Sequence, residues 1–483
     1  MSLKTRLFSV LMVLCFLALE LYFGLMDFSA KEEQELSLKA PKETIHIWYV
    51  DETLTDYLSS VALSFYQETD VRIVPVLVTG REYLESINEA SLYSNDMPDM
   101  FIARNDSLGK AYLAGLASEI VNKDSIVNTA HYSQTALDAV TYEGKYIGYP
   151  FYFETSYLLY NKTYLDMIAR GVVTAELEAK EDDEAALVDF DSAVADKSAE
   201  LVPNDIEDIL TFADIYDAPE NVEAIFKWDV SDIFYNYFIV GNYMIVGGDT
   251  GDNPDNIDIY NENAINCLQV YQELNQFFSI DADAVDYNSV IQEFLEGKTI
   301  FTVATTDAIH TLEEAKKTGE FAYEYGVDTI PDIMKDLKSR SLSVTNAVII
   351  NGYSEKKEHA NQFAKYLTND YSDSLYSRTG KVSSKKNITY DLDAISTIMD
   401  EYSRSVSMPK MLETSNFWVQ LELCFTKSWI GEDVNNLVLL LSEQIMTQVT
   451  GQKYKEVYVE TPDIDLMKET EYIEDTQDSL QNE

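Results

Sequence analysis

The sequence predicts an α/β protein. Apolar, β-branched runs alternate with stretches of helical period along residues 44–103, and strand–helix–strand repetition at that spacing calls for a mainly parallel sheet with helices on both faces. Hydrophobic residues make up 46% of the chain, which places it among packed rather than disordered proteins. The 483 residues are enough for two or three cores even without a hydrophobic N-terminal run.

That run comes first. Lys4 and Arg6 precede an apolar stretch over residues 7–26, and about 20 residues at ~1.5 Å each match a ~30 Å hydrocarbon core. Cations before it, and Asp27, Glu32, Glu33 and Glu35 after it, place the start inside and the remainder outside. Cleavage after Ala30 would put Phe28 where a small residue is wanted, and Cys15 lacks the small residue that precedes a lipidated cysteine. Glu20 counts against a span but lies toward its outer end. Residues 1–28 are read as an uncleaved signal anchor, with a cleaved signal peptide as the alternative, and 29–41 as an acidic tether.

A buried-strand pattern over 44–50 is followed by a helical period through Leu54, Leu58, Val61, Ala62, Phe65 and Tyr66, closed at Glu68-Thr69-Asp70. Residues 71–76 read as the next strand, 82–94 as a helix, and Met97-Pro98-Asp99 as a turn into a third strand. In Tyr142-Glu143-Gly144-Lys145, Gly144 supplies a positive φ between two extended runs. Residues 175–200 are rich in Ala, Asp and Glu, which fits a solvated surface helix or a partly disordered insertion. Asn204 or Asp205 caps a helix, long helices are expected over 231–244 and 261–278, and 451–483 is a C-terminal tail whose acidic end, from 468, is frayed.

Charge narrows the function. The net charge of −49 excludes nucleic acid, whose binding needs cations that displace counterions, and disfavours anionic lipid and strongly acidic substrates. Beyond the anchor only Cys267 and Cys424 remain, so at most one disulfide is possible and two buried free thiols are the simpler reading. His46, His131, His310 and His359 are scattered without metal spacing. The segment from Gly247 to Asp255 lacks the ligand pattern of an EF-hand and reads as a Gly-rich connector. No P-loop or nucleophile elbow is present, and the sequence implies no cofactor or metal.

The segment Tyr149-Pro150-Phe151-Tyr152-Phe153-Glu154-Thr155-Ser156-Tyr157-Leu158-Leu159-Tyr160-Asn161-Lys162 is the most informative. Around it, in order, stand Met97-Pro98-Asp99, Tyr112-Leu113-Ala114-Gly115-Leu116-Ala117, Phe294-Leu295-Glu296-Gly297-Lys298, Met408-Pro409 and Asn416-Phe417-Trp418. In this order and spacing the chain resembles the extracellular solute-binding proteins of ABC importers, and within them the family 1 maltose and maltodextrin-type carbohydrate binders. The resemblance implies a two-lobed, periplasmic-binding-protein-like α/β fold (type II) with crossing hinge strands. Lobe 1 would hold residues 42–152 and 346–392, and lobe 2 residues 155–342 and 398–450. It further implies a monomeric receptor, not an enzyme, on the outer face of the membrane, which captures a carbohydrate between the lobes and delivers it to membrane permease subunits.

Sugar hydroxyls need charged or amide partners and sugar C–H faces stack on aromatic rings. The chain carries 33 Tyr and 21 Phe, more than a core alone would need. By the resemblance Glu154, on the crossing segment, binds ligand, the alternative being a buried acid paired with Arg or Lys at the hinge. Asp106 matches a ligand-binding acid of the first lobe, or is an ordinary loop acid. Trp418 matches a stacking ring, or is core. Met408 and Tyr287 fall on ligand-contact positions, and Glu52 could reach the cleft mouth. Two family platforms are missing, since Ala103 and Asp307 stand where aromatic rings are expected. Two other functions remain open: a membrane-anchored sensor or scaffold, and a glycoside-active enzyme pairing Glu154 with Asp106, whose carboxyls would have to lie ~5–9.5 Å apart.

The anchor reading makes one prediction. The protein should fractionate with membranes at full mass, and a mature N-terminus near Lys31 by N-terminal sequencing would overturn the anchor while leaving export intact.

Overall fold

The computed structural model describes residues 41–461 and 464, except 80–81, 95–96, 123–125, 180–188 and 415. The expected N-terminal anchor, nearly all of the tether, the middle of the 175–200 insertion and the acidic end of the tail therefore lie outside the described residues. Among the described residues no helix is long and apolar enough to cross a membrane.

Strand β1 (Glu43–Tyr49) is flanked by two parallel neighbours, β2 (Val71–Leu77) and β3 (Met100–Arg104). The helix Thr55–Thr69 that links the first two ends at Asp70, whose left-handed φ of 61° turns the chain into β2. Pro75 is tolerated because β2 is an edge strand with no ladder beyond it. The hairpin of β4 (Thr141–Tyr142) and β5 (Lys145–Tyr146) turns through Glu143 and Gly144 at φ 49° and 74°, the paired positive φ of a type I′ turn.

Next comes β6 (Tyr149–Asn161), thirteen residues of which only Glu154 and Tyr160 are not buried. The remaining strands are β7 (Ala224–Phe226), the pair β8 (Ile245–Val246) and β9 (Ile257–Asp258), β10 (Thr299–Thr305), β11 (Tyr325–Asp328), β12 (Leu342–Ile350), β13 (Val382–Ser383) and β14 (Val406–Ser407). The main sheet runs β2-β1-β3-β12-β6-β10-β7, with β11 and β13 also on β6 and β14 on β12. It is mixed, not mainly parallel as expected. The reason is topological: β12 runs antiparallel to both β3 and β6, and β10 antiparallel to β6. Up to Thr155, β6 pairs with β12; from Ser156 onward it pairs with β10. One strand thus belongs to two half-sheets. Pro150 has no N–H to donate, and the β6–β12 ladder shifts register beside it, between Asn346 and Ala347.

Each half-sheet is covered by helices. One core is built around Phe226, Trp228, Phe278 and Trp429, with Trp228 edge-on to Trp429 at 5.7 Å. A second gathers Ile45, Tyr57, Phe65, Phe151 and Phe363, with Phe65 edge-on to Phe363 at 5.2 Å, and a smaller third surrounds Phe101 and Ile349. Aromatic pairs in this geometry add to the burial of their area. Cys267 and Cys424 are both buried and free. Asp205 caps the helix Ile206–Ile215 through the Asp208 N–H, and Asn261 caps Glu262–Phe278. The insertion is helical where described, in Lys162–Glu178 and Phe190–Glu200.

The helix expected over 231–244 does not form as one element. A single turn, Ile233–Asn236, passes into a 3₁₀ turn, Tyr237–Ile239. Asn236 explains the interruption: its carboxamide donates to the Asp229 and Asp232 carbonyls and accepts from Trp228 Nε1. Those bonds tie the segment into a tight loop in place of a helical ladder.

After β14 the chain passes between the two halves. Asn105 donates to the Met408 carbonyl, the Lys410 N–H donates to the Gly251 carbonyl at 2.7 Å, and a Cβ on Gly109 would collide with the Lys410 carbonyl oxygen. The Lys410 side chain is 1% exposed and its ammonium donates to the Asp138 carbonyl at 2.8 Å. Burial pulls its pKa down to about 8, against the opposing pull of the Asp252 and Asp138 carboxylates. The unfolded chain holds this proton to about 10.4. The unfolded state therefore binds more protons between those two values, and stability rises with pH across that window. Lys410→Met should abolish this slope. The unfolding free energy of the variant relative to the parent, from urea titrations, should fall by up to about 1.4 kcal/mol per pH unit above pH ~8; a pH-independent difference would show that the ammonium is not desolvated.

Candidate functional site

In α/β sheets, loops just past the carboxyl ends of strands form the binding crevice. The structure places Glu52 beyond β1, Asp106 beyond β3 and Asp307 beyond β10. Glu154 lies at the crossing of β6: it pairs with Val344 on β12, two residues before the Ser156–Thr305 pair that opens the β10 ladder. β10 ends at that pair, and Asp307, two residues further on, opens the next helix. On the other side, Arg104 faces Asn346 and Asn346 faces Tyr152. Tyr152 points to the same face as Glu154, because side chains alternate. Asp106 and Asp307 thus follow strands of different halves, and Glu154 lies on the strand that the halves share.

The side chains fall into four groups. Glu154 is paired, as the hinge-acid alternative anticipated: Lys381 Nζ lies 3.5 Å from its Oε1 and 3.1 Å from Asp51 Oδ2. Burial raises the Asp51 carboxyl, but its hydrogen bonds from Thr53 and the Lys381 charge outweigh that and hold it below the usual carboxylate range. Glu52, beside Asp51, is exposed.

Asp106 sits on the 3₁₀ turn Asn105–Ser107, 3.5 Å from the Arg104 guanidinium, which also reaches Met408 Sδ at 3.2 Å. Arg104 therefore joins two of the candidates. Met408 is only 7% exposed and packs in the core built around Trp228 and Trp429.

Tyr287 opens the helix Tyr287–Leu295 and lies flat against Tyr235, centroids 4.6 Å apart and planes 9° apart. Its hydroxyl accepts from the Thr305 N–H at 3.1 Å and donates to Asp307 Oδ1 at 3.2 Å. Burial, with Asp307 adding to it, raises its pKa well above the usual phenol value.

Trp418 is half-buried at the start of the helix Phe417–Trp429, against Tyr237 at 5.6 Å and Phe417 at 5.1 Å. Its ring is partly core and partly accessible. Ala103 is 7% exposed and pairs with Ala347 in the sheet, so no platform replaces it there.

Four contributors escaped the sequence reading. Lys381 is 227 residues from Glu154 along the chain, and nothing local links them. Asp51 and Arg104 adjoin Glu52 and Asp106, and proximity to those candidates was a usable signal. Tyr235 was hidden by reading its segment as a helix. Two concavities of about 600 and about 320 Å³ open elsewhere, around Tyr390 and Asp400 and around Asn122 and Asn361; none of the six candidates lines them. The assignment rests on topology and on the side-chain groups.

Comparison with known proteins agrees with this architecture. The sequence model of the family described as bacterial extracellular solute-binding protein matches residues 61–390. The maltodextrin-binding protein of Bacillus subtilis (strain 168) is 22% identical over 416 residues, covering 82% of this chain and 89% of that protein. A Staphylococcus aureus extracellular solute-binding protein solved with maltose superimposes with a TM-score of 0.67 at 16% identity, over 84% of this chain and 98% of that one. A cyclo/maltodextrin-binding protein complexed with maltotetraose does so with a TM-score of 0.67 at 17% identity, over 86% and 98%. The shared architecture is the two-lobed α/β fold.

Tyr287→Phe removes an acceptor from the Thr305 N–H and a donor from Asp307, so it should lower stability by about 1–2 kcal/mol in urea titration. Trp418→Ala should cost less than the ~3–5 kcal/mol of a fully buried aromatic. An unchanged midpoint for Tyr287→Phe would show that the hydroxyl does not tie the two loops together.

Proposed function

The chain belongs to the bacterial extracellular solute-binding proteins, and we propose that it captures an oligosaccharide between its lobes and delivers it to the permease of an ABC importer. Membership of that family places the folded part outside the cytoplasm. Residues 42–152 with 346–392 act as one lobe and 155–342 with 398–450 as the other. The N-terminal run holds the protein to the outer face of the membrane, and the chain carries out no chemistry on its ligand.

The observation that carries this reading is the position of Glu154. It is the accessible acid on a strand otherwise buried at the crossing, where β6 leaves one half-sheet for the other. A ligand hydrogen-bonded there touches both halves. Asp106 with Arg104 on one side, and Tyr235, Tyr287, Asp307 and Trp418 on the other, supply acceptors and ring faces suited to hydroxyls and C–H groups. The maltodextrin-binding relatives support carbohydrate as the ligand class. The missing platform at Ala103 and the acid at Asp307 make this a more polar cleft than a maltodextrin groove, so maltodextrin itself is one member of the panel to be tested. Closure would be stabilised only by the ligand's differential affinity for the closed form.

A thermal-shift screen with neutral oligosaccharides, maltotetraose among them, should reveal a stabilising ligand; at 100 times its Kd such a ligand adds ~2.7 kcal/mol. Glu154→Gln should then weaken calorimetric binding by about 1.5–3 kcal/mol, the range for a hydrogen bond to a charged group, with the unliganded fold intact. Reducing-sugar assays should show no turnover. Hydrolysis that disappears in Glu154→Gln would refute the binder reading.

A further inference from the structure

Lys381 follows the helix Leu375–Thr379 and ends between two carboxylates from distant parts of the chain. Asp51 Oδ2 is 3.1 Å from its nitrogen, Glu154 Oε1 3.5 Å, and the Tyr152 ring centroid 5.6 Å. The lysine side chain is 20% exposed. The three groups are not equally free. Asp51 is pinned by its own turn, where Oδ1 accepts from the Thr53 N–H at 3.0 Å and the Thr53 hydroxyl at 2.6 Å. The ammonium is pinned by Asp51. Glu154, 41% exposed, is the member turned toward solvent.

Burial lowers the lysine pKa, yet the two carboxylates more than offset it, so the group stays charged. Other charged or titratable groups surround it. Tyr152 lies on β6, Arg378 stacks on Tyr57 one turn earlier, Glu52 follows Asp51, and His310 packs against Gly380. Arg104, a half-exposed cation, lies 3.5 Å from Asp106 and reaches Met408. Carboxylates outnumber cations throughout.

We propose that Lys381 is a positioning and specificity residue of the cleft, which holds the Glu154 carboxylate as an acceptor for ligand hydroxyls while its own charge is consumed by Asp51 and Glu154. The cleft then favours uncharged, polyhydroxylated ligands over uronic or phosphorylated ones, because an incoming anion meets Asp51, Glu154 and Asp106 while the Lys381 ammonium is already shared between two carboxylates. This inference rests on the carbohydrate reading for its ligand class but not for the geometry of the triad.

The test has two arms. In the unliganded full chain, the titration of Asp51 by carbon-13 NMR should move upward in Lys381→Met, which keeps the aliphatic stem over Tyr152, and return toward the parent value in Lys381→Arg. An unmoved Asp51 in a folded Lys381→Met protein would overturn the positioning role whatever the ligand proves to be. In the second arm, maltotetraose, cellotetraose, xylotetraose and tetragalacturonate are compared by thermal shift. A neutral member should stabilise the parent, with affinity falling about tenfold or more in Lys381→Met and recovering in Lys381→Arg, and tetragalacturonate should give no shift. Stabilisation by tetragalacturonate would overturn the specificity claim. No shift with any neutral member, together with a displaced Asp51 titration, would instead overturn the carbohydrate reading and leave the positioning role standing.

Discussion

The continuity of β6 across two half-sheets is the constraint from which the rest of the molecule follows. A strand that pairs with β12 on one stretch and β10 on the next satisfies its backbone groups in both halves, and neither half can lose it without leaving buried amides unpaired. The crossing is reinforced by polar groups. The Thr155 hydroxyl donates to the Leu342 carbonyl at 3.0 Å and lies 3.2 Å from the Ser341 hydroxyl, which donates to Glu401. Glu401 is fully buried. Burial raises its pKa even though Arg404 Nε at 2.8 Å, the Ser341 hydroxyl and the Ile330 N–H all favour the charged form. With Glu401 bonded to Ser341 and Ile330, and Tyr402 against Phe153 and Thr345, the helix Asp393–Arg404 acts as a brace on the two strands that join the halves.

That brace separates two uses of aromatic residues. The tyrosine-rich composition suggested a surplus for stacking on a ligand, yet much of it is core: Tyr49, Tyr57, Tyr132, Tyr157, Tyr237, Tyr271 and Tyr402 are among the largest fully buried side chains. Tyr402 lies parallel to Phe153 at 3.8 Å and shares a hydrogen bond with Thr345, next to the crossing. Phenols of this kind fill volume and satisfy hydroxyls between strands. The rings left near the cleft are few, namely Tyr235, Tyr287 and Trp418, and each is packed against another aromatic.

What could be read from the sequence was what local chemistry dictates. The β1–helix–β2 unit with its end at Asp70, the positive-φ turn at Gly144, the cap at Asn204 or Asp205, the helix from Asn261 and the family landmarks that imply two lobes all follow from neighbours in the chain. The mixed sheet did not, because strand direction at β12 is set by a connection of long range. The 231–244 segment was misread because its apolar period is helical while Asn236 spends its amide on carbonyls that break the ladder. Glu154 could be singled out from its setting, but its partner Lys381 could not, since ion pairs between residues 227 positions apart leave no local pattern.

Asn105 shows how closely the candidate site and the hinge are joined. Its carboxamide is fully buried; it donates to Ser407 Oγ and the Met408 carbonyl, both at 2.9 Å, and accepts from the Thr345 N–H at 3.0 Å. One side chain thus fastens the β14 segment to β12 while its neighbours, Arg104 and Asp106, face the candidate cleft. Glu154 stands in the same relation to β6. On the proposed function, a ligand held by Asp106 or Glu154 would act on residues adjoining the strands that connect the halves, and any rearrangement it favoured would be opposed by the same hydrogen bonds. The balance between open and closed forms would then be set by how a ligand's contacts compare with those of Asn105, Thr155 and Glu401.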